Sequence, residues 1–388
     1  MNILISYLAV ITLILALGCT TKPKTQNPRN FIISENDFSK KSSIFTKKLA
    51  SKDIEILLQF FRNGYSGYEF IEKPLIDKAE SELKSLPHPA TTSWDELCES
   101  IAVAFNRLPD AHLQAYHLKN CLPKSLSSDR KSDIGKNIAV GYDKKAYKVQ
   151  TKKRNGKTIG IIGITRFPAF DDTKWEGFET AIAGLKKSSA IIIDLRGNSG
   201  GDDSRGLQLA GLLKGEDVIK ADYAMDYERT NPETYILILN KMISKARNGS
   251  EGAWDRYEKH YREKLNNPPS KNYTSSFGTS SLNVSTSSGP YNKPVYVLID
   301  SDCGSSGESS MQALRTLKNV KVVGQNTAGV THFGNQGLLI LPNSRIRISM
   351  STKFIKFNDG SFVEKVGHKP DIEVPNGTNA LEFVLNTF

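Results

Sequence analysis

Two stretches of this 388-residue chain carry residue types whose spacing could do chemistry. The first is Cys303-Gly304-Ser305-Ser306-Gly307-Glu308. It follows a continuous apolar run, Val295-Tyr296-Val297-Leu298-Ile299, and precedes a helical pattern with Met311, Leu314 and Leu317 on one face. The run reads as a buried strand. A strand that turns sharply into a helix through small residues lifts one hydroxyl above the sheet edge. It also aims the free N–H groups of the first helical turn at the same place. An acyl-transfer nucleophile needs both: an exposed oxygen, and donors waiting for the oxyanion. Ser305-x-x-Glu308 equally fits a capping box, which carries no chemistry. The second stretch, Arg196-Gly197-Asn198-Ser199-Gly200-Gly201, follows the apolar strand Ala190-Ile191-Ile192-Ile193-Asp194-Leu195. Adjacent glycines let consecutive N–H groups converge on an anion. The pattern is neither GxxxxGK[ST] nor a complete GxGxxG, so an oxyanion suits it better than a nucleotide phosphate. A glycine loop that merely turns is the alternative.

These stretches need a frame to hold them. Ile159 to Ile164 is a buried strand, and Asp172 caps a helical pattern bearing Trp175, Phe178, Ile182 and Leu185. The strand ending at Leu195, a helix with Leu207, Leu209, Leu212 and Leu213, the strand at Val295 and the run Val320 to Val323 follow in order. Such alternation predicts an α/β fold with a mainly parallel sheet covered on both faces. Residues 35–135 are instead helical in pattern. Ile54, Leu57, Leu58 and Phe61 share one face, and a second helix covers Pro74 to Leu86. In the third, Ser93 and Glu96 form a capping box ahead of the stripe Leu97, Ile101, Ala104, Phe105 and Leu108. It stops at Pro109, just before Asp110-Ala111-His112. The expected organisation is an N-terminal helical domain over 35–135 and a core domain over 136–388. Residues 223–294 read as an insertion with two helices and a Ser/Thr/Asn-rich loop, suited to a lid. Asn358-Asp359-Gly360 predicts a hairpin turn.

A formal net charge of +11, from 52 Lys and Arg against 41 Asp and Glu, favours anionic surfaces such as lipid headgroups or cell-wall polymers. No arginine-rich block or nucleic-acid motif accompanies it, so nucleic acid is not an expected partner. Residues 1–18 read as an export signal, apolar from Ile3 to Leu17 and too short for a comfortable membrane span. Ala16-Leu17-Gly18-Cys19 is similar to a bacterial lipoprotein signal, which would lipidate Cys19 after cleavage. Ala16 where leucine is usual, and no Lys or Arg ahead of the run, depart from that pattern. Residues 19–34 would tether the mature protein to the cell envelope, on its periplasmic side or at an outer membrane. In an exported chain Cys98 and Cys121 are a candidate disulfide. No CxxC or clustered His/Cys spacing points to a metal.

Five segments then occur in a telling order: Leu108-Pro109-Asp110-Ala111-His112, Asp194 to Gly201, Ser305 to Glu308, Val323-Gly324-Gln325-Asn326-Thr327-Ala328-Gly329, and Gly367-His368-Lys369-Pro370-Asp371-Ile372. Together they resemble the C-terminal processing protease and tricorn core protease family of serine peptidases. The resemblance implies a crotonase-like ββα core beside a helical region, with peptide or protein substrates and no metal or organic cofactor. Processing members place a lysine base after the glycine matched by Gly329, where this chain has Val330. Tricorn-like members use a histidine in an Asp-x-His segment, which His112 matches. The resemblance thus implies Ser305 as nucleophile, His112 as general base and Glu364 as the carboxylate orienting the imidazole. It assigns the oxyanion hole to the N–H groups of Ser306 and Gly201, with Gly200 as a further candidate. Only Leu113 to Thr158 separates the helical region from the core, too little for a substrate-tail-binding PDZ domain. The rival readings are a catalytically inactive ligand-binding relative, an esterase or cell-wall amide hydrolase, and a Cys303 nucleophile. His117 is the alternative base, His332 a candidate substrate contact, and His368 an expected surface residue.

Overall fold

The computed structural model describes residues 25–126, 145–169, 172–216, 218–247, 253–281 and 289–388. The export signal and Cys19 lie outside the described residues. In chain order the helical region comprises α1 (Lys47–Asn63), α2 (Gly67–Phe70), α3 (Lys73–Lys84) and α4 (Trp94–Asn106). Thr46 caps α1 by accepting from Leu49 N at 3.3 Å, and Ser93 caps α4 by accepting from Glu96 N at 3.2 Å. The reciprocal half of the predicted box goes elsewhere, since the Glu96 carboxylate accepts from Thr92 N at 2.6 Å. Cys98 and Cys121 are joined as a disulfide with Cα atoms 5.7 Å apart.

The chain then adds β1 (Gln114–Tyr116), β2 (Tyr147–Arg154), β3 (Lys157–Ile164), α5 (Phe178–Leu185), β4 (Ala190–Asp194) and α6 (Asp203–Lys214). After β5 (Val218–Arg229) come α7 (Pro232–Arg247), α8 (Ala253–Asn266), β6 (Tyr273–Ser281), β7 (Val295–Ile299) and α9 (Ser306–Arg315). The last elements are β8 (Val320–Gly324), β9 (Phe333–Ile340), β10 (Arg347–Phe357), β11 (Ile372–Glu373) and α10 (Ala380–Leu385).

A six-stranded sheet runs in the order β11-β8-β7-β4-β3-β2, parallel except for the β2–β3 hairpin. Its strands alternate as pleated backbone must. Ile191, Ile193, Val295, Val297 and Ile299 face a core shared with α5, α6 and α9. Ala190, Ile192 and Leu298 face the core under α10. With apolar layers on both sides, β4 has no polar face until Asp194. The mainly parallel α/β sheet is therefore as the sequence predicts.

The rest of the molecule is divided differently from expectation. A second sheet, β1-β10-β5-β6 with β9 also on β10, is antiparallel and built from distant parts of the chain. One continuous core joins Leu57, Phe61, Leu97 and Phe105 of the helical region to Tyr235, Leu237 and Leu239 of α7 and to Phe333, Ile348 and Met350. Residues 223–294 are thus no appended lid. β5 and β6 belong to the sheet, and α7 buries one face against β9 and α1. Nor do residues 35–135 form a domain by themselves, because their apolar stripes close only against these later elements. The tether is partly docked too. Asn240 of α7 accepts from Ile33 N at 2.9 Å and donates to Phe31 O at 2.9 Å. At Asn358 to Gly360 the chain turns, with Gly360 at φ +74°, but it leaves the sheet instead of forming a hairpin.

Candidate active site

β7 ends at Ile299, α9 begins at Ser306, and the turn between them is held from below. Asp300 Oδ1 accepts from Cys303 N at 3.0 Å and Asp302 N at 3.1 Å, and also from Gly197 N at 2.9 Å in the glycine loop. Gly304 N donates to Asn198 O at 2.9 Å, and the wholly buried Asn198 donates its amide to Ile164 O at 2.9 Å. One aspartate and one asparagine therefore weld the two chemical stretches together. Asp194 and Arg196, paired at 2.7 Å and nearly inaccessible, stiffen the base of the loop.

Ser305 itself adopts φ +53° and ψ −123°, a conformation that a residue with a β-carbon holds only when its surroundings impose it. Strain of this kind at a strand-to-helix turn is the geometry a nucleophile elbow requires. The restraint comes from Glu308. Its buried carboxylate accepts from Ser305 N at 3.1 Å, Gly329 N at 2.8 Å and Val330 N at 2.7 Å, and contacts the Thr327 hydroxyl. Glu308 thus makes the predicted capping contact, and its other contacts lock the nucleophile turn to the Thr327–Val330 loop. The position that carries lysine in processing proteases is held here by a backbone N–H on a carboxylate.

The glycine loop lies against this turn. A β-carbon on Gly200 would stand 2.7 Å from Ser305 Cβ and 3.0 Å from Ser306 N, so only glycine allows the approach. One predicted donor is lost, however: Gly200 N donates to Asn198 Oδ1 at 2.9 Å and is not free for an oxyanion. Phe167 N donates to Gly200 O, Asp202 N donates to Phe167 O, and Ser306 Oγ donates to Gly201 O at 2.8 Å. Among the described residues, the N–H groups of Gly201 and Ser306 have no protein acceptor. A β-carbon on Gly201 would stand 1.8 Å from Phe167 O, so replacing this glycine disturbs the backbone as well as the donor.

His112 arrives from the opposite side, just beyond α4. The buried Asp110 accepts from His112 N at 2.7 Å and from Ser351 Oγ of β10 at 3.1 Å, while Ala111 N donates to Glu364 Oε1 at 3.2 Å. Glu364 Oε2 accepts from Thr331 N at 3.1 Å and His332 N at 3.0 Å. Polar atoms of Asp110, His112 and Glu364 all lie within 4.8 Å of one another. A metal ion can be held by such a trio, but all four carboxylate oxygens already accept N–H or O–H donors, which suits a brace. Burial and the neighbouring Asp110 charge push the Glu364 carboxyl up to about 8. Burial pulls the His112 imidazole below its ordinary value, against the opposing pull of Asp110. Its buried Nδ1 has no hydrogen-bond partner. Glu364 therefore approaches the histidine and holds its loop, without a hydrogen bond to the ring.

The other candidates separate clearly. His117 bonds Asp95 at 2.7 Å and the Ser42 hydroxyl at 3.1 Å, away from the cleft. His332 Nδ1 donates to Ile355 O at 2.7 Å and its Nε2 accepts from Val363 N at 2.9 Å. It is a neutral brace with no nitrogen left for substrate. His368 is buried and bonded to Gln312 at 3.1 Å, not at the surface. The Cys303 thiol is wholly buried, and that burial pushes its pKa well up, which removes it as a nucleophile. The contacts of Glu308 with the Thr327–Val330 loop and the carboxyl pair beside His112 were not legible in the sequence, because the first join separate loops 19 to 22 residues apart and the second brings together segments some 253 residues apart.

Ser305, Ser306, Gly201 and His112 line one cleft of about 600 Å³, to which α7 and α8 also contribute side chains. No hydrogen bond joins His112 to Ser305. Catalytic contacts are often loose until substrate is seated.

Comparison with known proteins bears on the family and the fold. The model of peptidase family S41 matches residues 158–374, from β3 to just past β11. Nisin-resistance protein of Lactococcus lactis subsp. lactis is 24% identical over 259 residues, 66% of this chain and 67% of the relative. A candidate peptidase of Parabacteroides merdae superposes with a TM-score of 0.59 at 15% identity, over 87% of this chain and 96% of that one. Mature CPAF complexed with lactacystin gives 0.55 at 13% identity, over 88% and 97%. Those two likenesses show a shared fold. With more than half its length matched by the family model, the chain belongs to peptidase family S41 and is a serine-type peptidase.

Proposed function

We propose that this protein hydrolyses peptide bonds through an acyl-enzyme on Ser305, with His112 as general base. The observation that carries the reading is the strained Ser305 turn, flanked by the uncommitted N–H groups of Ser306 and Gly201 and sharing one cleft with His112. Ser305 Oγ attacks the scissile carbonyl while His112 takes its proton. The tetrahedral oxygen is held by Ser306 N–H and Gly201 N–H. His112 then protonates the leaving amine as the C–N bond breaks, and a water deprotonated by His112 releases the acyl group. Asp110 and Glu364 are positioning residues that hold the histidine loop from two sides. We further propose that the protein is exported and anchored through an acylated Cys19, on the strength of the N-terminal pattern alone. Mass spectrometry of the mature N-terminus tests the anchor.

A serine-reactive fluorophosphonate tests the mechanism. It should label Ser305, identified by peptide mapping. Ser305→Ala should abolish labelling and lower turnover by roughly 10⁴-fold or more, whereas Cys303→Ala should retain most activity. Labelling elsewhere, or an active Ser305→Ala enzyme, would remove the assignment. Labelling of Ser305 with ester turnover but no peptide turnover would favour the esterase reading.

A further inference from the structure

The part of the cleft lining drawn from α7 and α8 takes no part in the proposed bond cleavage, yet its composition is unusual. α7 presents Ile238, Lys241, Met242 and Lys245 to the cleft, and α8 adds Tyr261. Lys241 and Lys245 stand one helical turn apart, so their ammonium groups rise from the same face. The acids nearby are already engaged. Asp203 lies 3.8 Å from Lys353, and Asp202 accepts from Ser204 N at 3.0 Å and Ser204 Oγ at 2.7 Å while its charge acts on Lys245. Lys241 has no such counter-charge. Among the described residues no carboxylate comes within ion-pair distance of it, and its side chain is half-buried among apolar neighbours. Burial and the Lys245 charge both disfavour its charged form. A cation without a counter-charge on a partly desolvated wall, as at Lys241, carries an unfavourable energy that an incoming anion relieves.

We propose that Lys241, with Lys245 beside it, forms a subsite for a carboxylate of the peptide substrate. The carboxylate comes from an Asp or Glu side chain near the scissile bond or from a free C-terminus, since both present the same planar anion. This inference rests on the peptidase reading, because the subsite has meaning only if peptide occupies the cleft. It makes the enzyme selective within its class, with an acidic group seated on α7 fixing which bond reaches Ser305.

Three fluorescent peptides of one sequence separate the sources: one with Glu and an amidated C-terminus, one with Gln and an amidated C-terminus, and one with Gln and a free C-terminus. The Glu or Gln is moved through each position flanking the cleavage site. Binding is read by anisotropy on the full-length Ser305→Ala protein, and kcat/KM on the wild type. At least one carboxylate peptide should bind and be cleaved about tenfold better than its neutral partner, the scale of one charge-assisted contact. Lys241→Gln, and independently Lys241→Met, should collapse that ratio to within about twofold in each protein that melts like its parent. Equal binding and cleavage of all three peptides at every position would overturn the subsite while leaving the peptidase reading intact. A carboxylate preference in binding, lost in Lys241→Gln, together with no peptide cleavage by the wild type, would overturn the peptidase reading and keep the subsite.

Discussion

The two halves of the catalytic apparatus are held in opposite ways. On the nucleophile side Asp300 Oδ1, Asn198 and Glu308 accept from backbone N–H groups that set the turn, Asp300 Oδ2 is buried without a partner, and the N–H groups of Ser306 and Gly201 are uncommitted among the described residues. On the base side two buried carboxyl groups crowd a histidine whose Nδ1 is buried without a partner. Each backbone donor so engaged restrains the loop it belongs to, while a buried polar atom without a partner keeps an unpaid desolvation cost. The more numerous braces therefore fall on the Ser305 turn, and on the reading proposed above His112 completes its contacts when substrate is seated.

The strongest way to break this contrast is Glu308→Gln. An amide cannot accept from Ser305, Gly329 and Val330 N–H groups together without turning its own NH₂ against one of them. Relaxation of the strained Ser305 turn should lower kcat by about 10²-fold, with KM little changed. Steady-state kinetics together with a thermal melt read it. If kcat stays within about twofold, Ser305 holds its conformation without Glu308.

On the base side, the expected effect is on stability. The folded-state pKa of Glu364 is raised from the usual carboxylate range to about 8, so the folded protein binds more protons than the unfolded chain between those limits. Its contribution to stability therefore falls as pH rises from about 4.5 to about 8, by an amount of order a few kcal/mol. Glu364→Gln, a neutral mimic, should flatten that slope in thermal melts and leave the melting temperature at low pH nearly unchanged. A slope that persists in the variant would place the titration in another group.

The smallest effect concerns the acid limb of activity. His112 must be neutral to accept the Ser305 proton, and its pKa is displaced downward by burial. Activity should thus persist below the ordinary imidazole range near pH ~6.5 and fall only on further acidification. Asp110→Asn removes the charge that favours the imidazolium, so the limb should move lower still. A pH–kcat/KM profile decides, and a limb at or above the ordinary value would mean that the imidazole is better solvated than its surroundings imply.

Legibility in the sequence followed the range of the interactions. The stripe Leu97, Ile101, Phe105 and Leu108 and the continuous run of β4 are local periodicities, and both elements form where those periodicities place them. The two sheets and the shared core were not legible, because the faces of α1, α4 and α7 are each amphipathic in the ordinary way, and periodicity does not name the partner. That is why residues 223–294 read as an insertion although Tyr235 and Leu237 are completely buried against distant strands.

The amino-acid sequence by itself determined the strand–turn–helix that presents Ser305, the glycine loop beside it and the Asp-x-His segment, since each is written in consecutive residues. Only the tertiary structure decided which glycine N–H is spent and which is free, that Glu308 braces the nucleophile turn, and that Glu364 sits beside Asp110. Those facts depend on which backbone N–H each side-chain oxygen accepts, at a separation of 2 residues for Asn198 and Gly200, 21 for Glu308 and Gly329, and 253 for Glu364 and Ala111. Such pairing, near or far in the chain, is settled by packing geometry and desolvation, and neither is written in the order of neighbours along the chain.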